Sequence, residues 1–404
     1  MYICNMNKIS ENTTNKTIKI VYCIPDLFRP GGIERIISMK TNYLAEYNNG
    51  NSYDITIITT GQGKRPAYYE FSNKIKFIDL DINYDEIVSY SFLKRILIRR
   101  EKKKKHKTRL EKVLKDISAD IVISTFTHDA TFLPSIKDGS KKILEFHFSK
   151  GYKLQRSITE NWSFIFRLAY GLRSFWEEYT IPKKYDAFVV LTKEDKAAWD
   201  VIRPDTIAIP NIIPLLSTDV SSKNNKIVIA VGRLDNQKGF DRLIDLWDLV
   251  QKDNPDWSLH IFGTGEDKEK LELQIQNKEL QNQIKIFPPE KNIAQRYLES
   301  SIFVMTSRFE GFPMVLLEAM SFGLPSVSYS FKCGPKDAIK DGINGFLVEE
   351  GDKVAFAKKI NILMKDQALR KQMGNKAHEA TQKYTYKIIM QKWIDLFQNV
   401  LIGK

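Results

Sequence analysis

Cysteine is scarce: the three thiols, Cys4, Cys23 and Cys333, stand far apart and match no metal-ligand or redox spacing, which fits a reducing compartment. They read as small buried residues. A run of about 18 consecutive apolar residues, the length needed to span a bilayer, is also lacking. The opening stretch MYICNMNKISENTTNKT has no apolar core of the kind a signal peptide carries. The expectation is a protein made and kept in the cytosol.

What is present is ample apolar content, 43% of 404 residues, more than one ordinary core holds, so two domains of similar size are expected. The net charge is +13, and much of the excess lies in FLKRILIRREKKKKHKTRLEKVLKD, residues 92–116. Such a block either seeks an anionic partner (a membrane surface, a nucleic acid, a phosphate-bearing substrate) or is the solvated face of a helix.

Short β-branched runs alternate with longer helical patterns along the whole chain. The strand candidates are 19–25, 54–60, 74–80, 120–126, 142–148 and 186–192, then 226–232, 258–265, 284–288, 302–307, 325–330 and 345–349. Strand, helix, strand in repetition means parallel sheets covered on both faces. The fold class is therefore α/β, with two Rossmann-like doubly wound domains facing a central cleft. AIPNIIPLLSTDVSSKNN, 208–225, has the composition of a linker, which puts an N-terminal domain at 1–210 and a C-terminal one at 211–384. The last helical segment carries an apolar stripe through Ile388, Ile389, Trp393 and Phe397, and residues 385–404 are expected to pack back onto the first domain.

RFEGFPMVLLEAMSFG, 308–323, raises a sharper question, because Glu318 sits inside what reads as a buried helix between Pro313 and Gly323. A buried carboxylate costs several kcal/mol unless it is hydrogen-bonded or serves a ligand. Glu310 precedes the same helix, so the two carboxylates are expected to touch different parts of one ligand. A carboxylate accepting from vicinal hydroxyls is a usual grip on a ribose or a hexose. Free N–H groups of Met314 and Val315 at the helix start would point at a phosphate or sugar oxygen.

AVGRLDNQKGFDRLI, 230–244, leaves a strand through a glycine turn, presents Arg233 and Lys238, and opens a helix. A helix start contributes only about 0.3–2 kcal/mol toward an anion, whereas charge-assisted bonds add roughly 1.5–3 kcal/mol each. Arg233 and Lys238 are thus candidates for a diphosphate, with Gly232 and Gly239 allowing close backbone approach. FGTGEDKEKLE, 262–272, lacks the third glycine of a dinucleotide fingerprint and reads as a plain strand-to-helix turn. In the first half, IPDLFRPGGIERII, 24–37, leaves the first strand through Gly31 and Gly32, where an acceptor or phosphate could approach.

Together these stretches, GGIER, GRLDNQKGFDRLI, FGTGE, SRFEGFPMVLLEAMSFGLPSV and GPKDAIKDGINGFLV, resemble the family 4 glycosyltransferases, retaining enzymes of the GT-B type, most of all bacterial enzymes that extend lipid-linked oligosaccharides, capsule or O-antigen repeats. The resemblance covers nearly the whole chain and is weakest over 62–118. It implies that Arg233 and Lys238 bind the diphosphate of a nucleoside diphosphate sugar, with Gly232 and Gly239 beside them. It implies that Glu310 holds the donor sugar and stabilises its developing positive charge, and that Glu318 holds the ribose. Gly311, Phe312, Met314 and Val315 complete that donor site, and Gly31 and Gly32 lie near the diphosphate and acceptor. A histidine late in the first domain belongs near the transferred sugar: His147 in LEFHFSKGY stands there, although Glu145 and His147 are split by Phe146, and His128 in TFTHDATF is its rival.

No carboxylate is evident as a covalent nucleophile, so the resemblance implies front-face transfer with retention, needing no metal or other cofactor. Asp79 and Asp81 in FIDLDIN read as a strand end rather than a metal site, because the cationic pair does the metal's work. Residues 148–182 mix Trp162, Phe164, Phe166, Tyr170, Phe175 and Trp176 with Arg167 and Arg173, which suits the face of an anionic membrane or, equally, an ordinary core helix. The expected partners are thus a nucleotide sugar, a lipid-linked or polysaccharide acceptor, and an anionic membrane on the inner face of the plasma membrane. The competing readings are another sugar-nucleotide or phosphorolytic enzyme of this architecture, or a basic nucleic-acid-binding protein. The latter explains 92–116 but leaves Glu318 unexplained, and no nucleic-acid motif is present.

Overall fold

The computed structural model describes residues 16–47, 51–89, 91–160 and 162–403, so Cys4 and all but the last two residues of the opening stretch lie outside the described residues. The first sheet is built from β1 Lys16–Cys23, β2 Asn51–Thr59, β3 Lys76–Asp79, β4 Ile121–Ser124, β5 Lys141–Phe146, β6 Ala187–Val190 and β7 Ile207–Ala208. Its seven strands run in the order β3-β2-β1-β4-β5-β6-β7. The second sheet takes β8 Ile227–Val231, β9 Ser258–Phe262, β10 Ile284–Phe287, β11 Ile302–Met305, β12 Ser326–Tyr329 and β13 Gly345–Val348. Its order is β10-β9-β8-β11-β12-β13. Pairing is parallel, as between β1 and both its neighbours and between β8 and β9.

The helices are α1 Gly32–Glu46, α2 Phe92–Ile117, α3 Tyr152–Thr159, α4 Phe164–Thr180, α5 Lys193–Asp200, α6 Phe240–Gln251, α7 Lys268–Asn277, α8 Ile293–Glu299, α9 Met314–Ser321, α10 Pro335–Ala338, α11 Lys353–Lys365, α12 Gln367–Thr381 and α13 Tyr386–Leu401. By the density of their internal contacts the residues form two compact units, Met1–Ile143 and Leu144–Lys404.

In the first unit, β1 is apolar on both faces: Ile20 and Tyr22, and Val21 between them, are all fully buried. That is what a central parallel strand requires. In the second, α6 shows why its sequence is a helix that docks on a sheet. Phe240, Leu243, Ile244, Trp247 and Val250 recur at three- and four-residue spacing and are buried, while Asp241, Asp245 and Asp248 fall on other faces. Each such apolar side chain contributes roughly 1.5–3 kcal/mol. The segment expected to be a linker, 208–225, is anchored by Ile209, Ile212 and Ile213, all buried.

Two expectations need correcting. Ile388 is exposed rather than part of the stripe of α13, which buries Ile389, Met390, Trp393, Ile394 and Phe397 instead. A step of four from Ile389 to Trp393 and again to Phe397 leaves the preceding residue on the outer side. Pro313 is the residue just before α9, not its first helical position.

Candidate functional site

In the second sheet the strand order reverses between β8 and β11, and ligands of such sheets bind beyond the carboxyl ends of the strands at that point. The loops leaving these two strands are zipped together. Asp235 Oδ1 accepts the Lys238 N–H at 3.1 Å, closing the turn after β8. Gly239 then has φ +66°, and a Cβ there would lie 2.3 Å from the carbonyl oxygen of Thr306 in the other loop. Only glycine satisfies both demands.

Across the seam, the Arg308 N–H donates to Gln237 O at 2.7 Å and Gln237 Nε2 donates to Phe309 O at 3.0 Å. The Arg308 guanidinium grips Asp241 through two bonds of 2.9 and 2.7 Å and also reaches Asn236 O at 2.7 Å. Burial pushes the Asp241 carboxyl up, but the paired Arg308 more than offsets this and holds it below the usual carboxylate range.

This zipper places Lys238 against Glu310. Lys238 Nζ lies 2.6 Å from Glu310 Oε1, and Ser307 Oγ donates to the same oxygen at 2.8 Å. Glu310 is only 7% exposed, so its charge is held by these two donors. It forms part of the wall of a cavity of about 340 Å³, shared with Arg233, Asp235, Gln237 and Gly311 on this side and with Phe148, Ser149, Tyr152 and Arg156 on the other. Arg233 pairs with Asp235 at 3.1 Å, yet its side chain is 70% exposed and so able to turn to an anion. Phe148 and Tyr152 stack at 4.2 Å, giving the cavity a flat aromatic edge.

His147 enters this region through its backbone. A Cβ on Gly311 would lie 2.0 Å from His147 O and 2.9 Å from the Phe148 Cα, so the wall closes here only around glycine. The His147 ring is buried, with Nε2 3.3 Å from Glu145 Oε1, and the split spacing of this pair is met by putting both side chains on one side of the strand end. His128 lies in the first unit, its ring stacked on Tyr84 at 3.8 Å. There it lines a cavity of about 220 Å³ with Asp26, Arg65, Asn83 and Asp85. Gly31 caps α1 and Gly32 opens it, and neither lines that cavity.

Glu318 is 3% exposed on α9, as its apolar setting implied, and is not among the residues lining the cavity of Glu310. Phe312 is buried in the core, its ring edge-on to Tyr384 at 6.0 Å, and Met314 and Val315 pack against the same core. The expected free N–H of Met314 is a correction: it donates to Phe312 O at 2.9 Å, and those of Leu316 and Leu317 go to Pro313 O. The cause is the tight turn at Pro313, whose ψ of 73° brings the preceding carbonyl round. Asp79 ends β3, with its two oxygens taken by Thr59 Oγ1 and the Gly63 N–H, as a strand-end role requires.

Residues that motif reading passes over are Tyr152, Arg156 and Glu160, on the cavity wall together with Glu266, the last residue of FGTGE, to which that reading gives no role. The first three belong to a stretch read above for its aromatic and basic composition. Their four-residue spacing, Tyr152, Arg156, Glu160, is the signal that puts them on one helical face.

With this geometry in place, comparison with known proteins is informative. Residues 218–380, which hold the zipped loops, match the family Glycosyl transferases group 1. That stretch of the chain is similar to the group 1 glycosyl transferases. An uncharacterized glycosyltransferase of Haemophilus influenzae is 28% identical over 93% of this chain and 98% of its own. The GalNAc-α-(1→4)-GalNAc-α-(1→3)-diNAcBac-PP-undecaprenol α-1,4-N-acetyl-D-galactosaminyltransferase of Campylobacter jejuni is 27% identical over 95% of this chain and 99% of its own. The crystal structure of Anabaena HepE, in complex with UDP and glucose, superposes with a TM-score of 0.70 at 17% identity, covering 95% of this chain and all of that one. The GT-B fold is thereby shown.

Proposed function

We propose that this transferase is retaining and moves a hexosyl or N-acetylhexosaminyl group from a UDP-sugar to a lipid-linked or polysaccharide acceptor in cell-surface glycan synthesis. The observation that supports it is the buried Glu310, held by Lys238 at 2.6 Å in the wall of a cavity that also presents the exposed cation Arg233. In this reading Arg233 and Lys238 take the diphosphate, and Gly232 and Gly239 let the backbone come close. Glu310 faces the sugar as positive charge develops on it, Glu318 serves the ribose, and residues 1–210 serve the acceptor while 211–384 serve the donor. The departing diphosphate, stabilised by the two cations, takes the acceptor's proton on the face from which it leaves, so configuration is kept. The same two cations make a metal unnecessary.

The bacterial relative whose name carries an undecaprenol diphosphate acceptor supports a lipid-linked acceptor here. The structure titled with UDP and glucose supports a uridine donor. In this reading the work is done at the cytoplasmic face, with the chain lying on the bilayer; no described helix is long and apolar enough to cross a membrane.

The deciding experiment is calorimetry of the protein with UDP, GDP and ADP in EDTA. Binding of UDP, lost in Arg233→Ala, supports the assignment; binding of GDP or ADP in its place overturns the uridine donor, and no binding to any overturns the diphosphate site. NMR of the product's anomeric configuration tests retention, which an inverted product would exclude.

A further inference from the structure

Helix α4 is built inside out. Phe164, Leu168, Leu172, Phe175 and Trp176 follow one another at three- and four-residue steps, and each is more than half exposed, from 54% at Leu168 to 70% at Phe164. Among the described residues its buried side chains are polar instead: Ser174, Glu177 and Glu178. These inward groups are satisfied, because Glu178 Oε1 accepts the Gly151 N–H at 3.1 Å at the start of α3, and Glu177 takes Lys153 at 2.7 Å and Arg173 at 2.8 Å. Leu154 and Ile158 of α3, which packs beside α4, are exposed as well. A surface helix in water shows the opposite arrangement, and an apolar face of this kind marks a contact with something apolar.

The charges identify the occupant. The carboxylates of the segment are turned inward, as Glu177 and Glu178 are, or tied up, as Glu160 is with Arg156 at 2.7 Å. What points outward beside the rings is cationic: Arg173 is 61% exposed, and Lys183 sits 3.6 Å above the ring of Tyr179. Aromatic rings rimmed by cations match the headgroup region of an anionic bilayer. A second copy of the chain would bring two positive rims together, which disfavours it. At 17 residues, with charged side chains in its length, α4 lies on such a surface and does not cross it.

We infer that α4, with the exposed edge of α3, is a docking face for an anionic phospholipid surface. The same α3 presents Tyr152, Arg156 and Glu160 to the cavity of Glu310, so docking sets that cavity near the level where a lipid-borne acceptor leaves the bilayer. That last step rests on the transferase reading, whereas the docking itself does not.

The sequence contains six tryptophans, and four of them, Trp199, Trp247, Trp257 and Trp393, are buried. Trp162 and Trp176 are therefore native reporters of this face. The test is flotation of the whole chain, without donor or acceptor, with vesicles of phosphatidylcholine alone and of phosphatidylcholine with phosphatidylglycerol. We expect binding to the anionic vesicles, weakened by about 0.5 M salt, with a blue shift of tryptophan emission and quenching by brominated lipid. The variant Leu168→Ser/Leu172→Ser/Phe175→Ser should need at least about ten times more lipid for half-binding, and an unchanged Tm shows it folded. Absence of parent binding, absence of quenching, or equal binding by the folded variant overturns the proposal. So does a concentration-dependent dimer that the variant abolishes. Because no nucleotide is present, this outcome is independent of whether UDP binds.

Discussion

At the scale of single residues, the pair Lys238–Glu310 carries the argument. Because Lys238 is paired with Glu310, an arriving diphosphate competes with a resident carboxylate for one ammonium. Glu310→Gln should therefore abolish transfer while raising nucleoside diphosphate affinity several-fold, which parallel turnover and calorimetric measurements would show; weaker binding in this variant would place the diphosphate elsewhere. Lys238→Ala should lower that affinity about ten-fold or more, the value of one charge-assisted bond. Gly311→Ala tests the wall. Its Cβ would sit 2.0 Å from a backbone oxygen, so the loop must move, and a Tm lowered by several degrees is expected alongside a loss of activity. That Glu310, Arg233 and Lys238 would come together was legible because a charged residue in an apolar or glycine-rich setting has few structural explanations. The fate of the Met314 N–H was not, because it depends on one backbone torsion that residue identity does not determine.

At the scale of elements, every strand read from alternation of β-branched runs is present in the sheets, with ends shifted by a few residues where a run continues past its ladder partner. The exception is β7, Ile207–Ala208, two residues long beside a proline-rich segment, too short for any periodicity to show. Composition alone suggested a linker there, yet Ile212 and Ile213 are buried, since apolar residues between prolines fill a core as well as those in helices. The basic block does form a helix, α2, and its one deeply buried polar group is informative. His106 is 2% exposed, with Nδ1 3.2 Å from the Tyr84 hydroxyl and its ring edge-on to Phe132. Burial, aided by repulsion from His128, lowers its pKa to about 4. Below the usual value of about 6.5 the unfolded chain takes up a proton that the folded one refuses, so stability falls as the pH drops from there toward 4. Unfolding by urea should show a loss of about 2 kcal/mol between pH 7 and pH 5 from this group, absent in His106→Leu. A curve equally steep in that variant would assign the loss to other groups.

At the scale of the whole molecule, a face that sequence left undecided proves to be exposed. The aromatics of 164–179 fit a core helix and an interfacial one equally well as letters, and only the burial of Glu177 and Glu178 on the opposite side separates the two. That arrangement has a practical side. A chain that turns phenylalanine, leucine and tryptophan to water stays dispersed in solution through mutual repulsion, and the net charge of +13 supplies it. Light scattering should therefore rise as the pH is brought up to the point of zero net charge, and less so in the Leu168→Ser/Leu172→Ser/Phe175→Ser variant. On the docking proposed above, the positive charge that draws the protein to a lipid surface is also its colloidal protection when no surface is at hand, so salt, which screens both, should release it from vesicles and precipitate it in the same step.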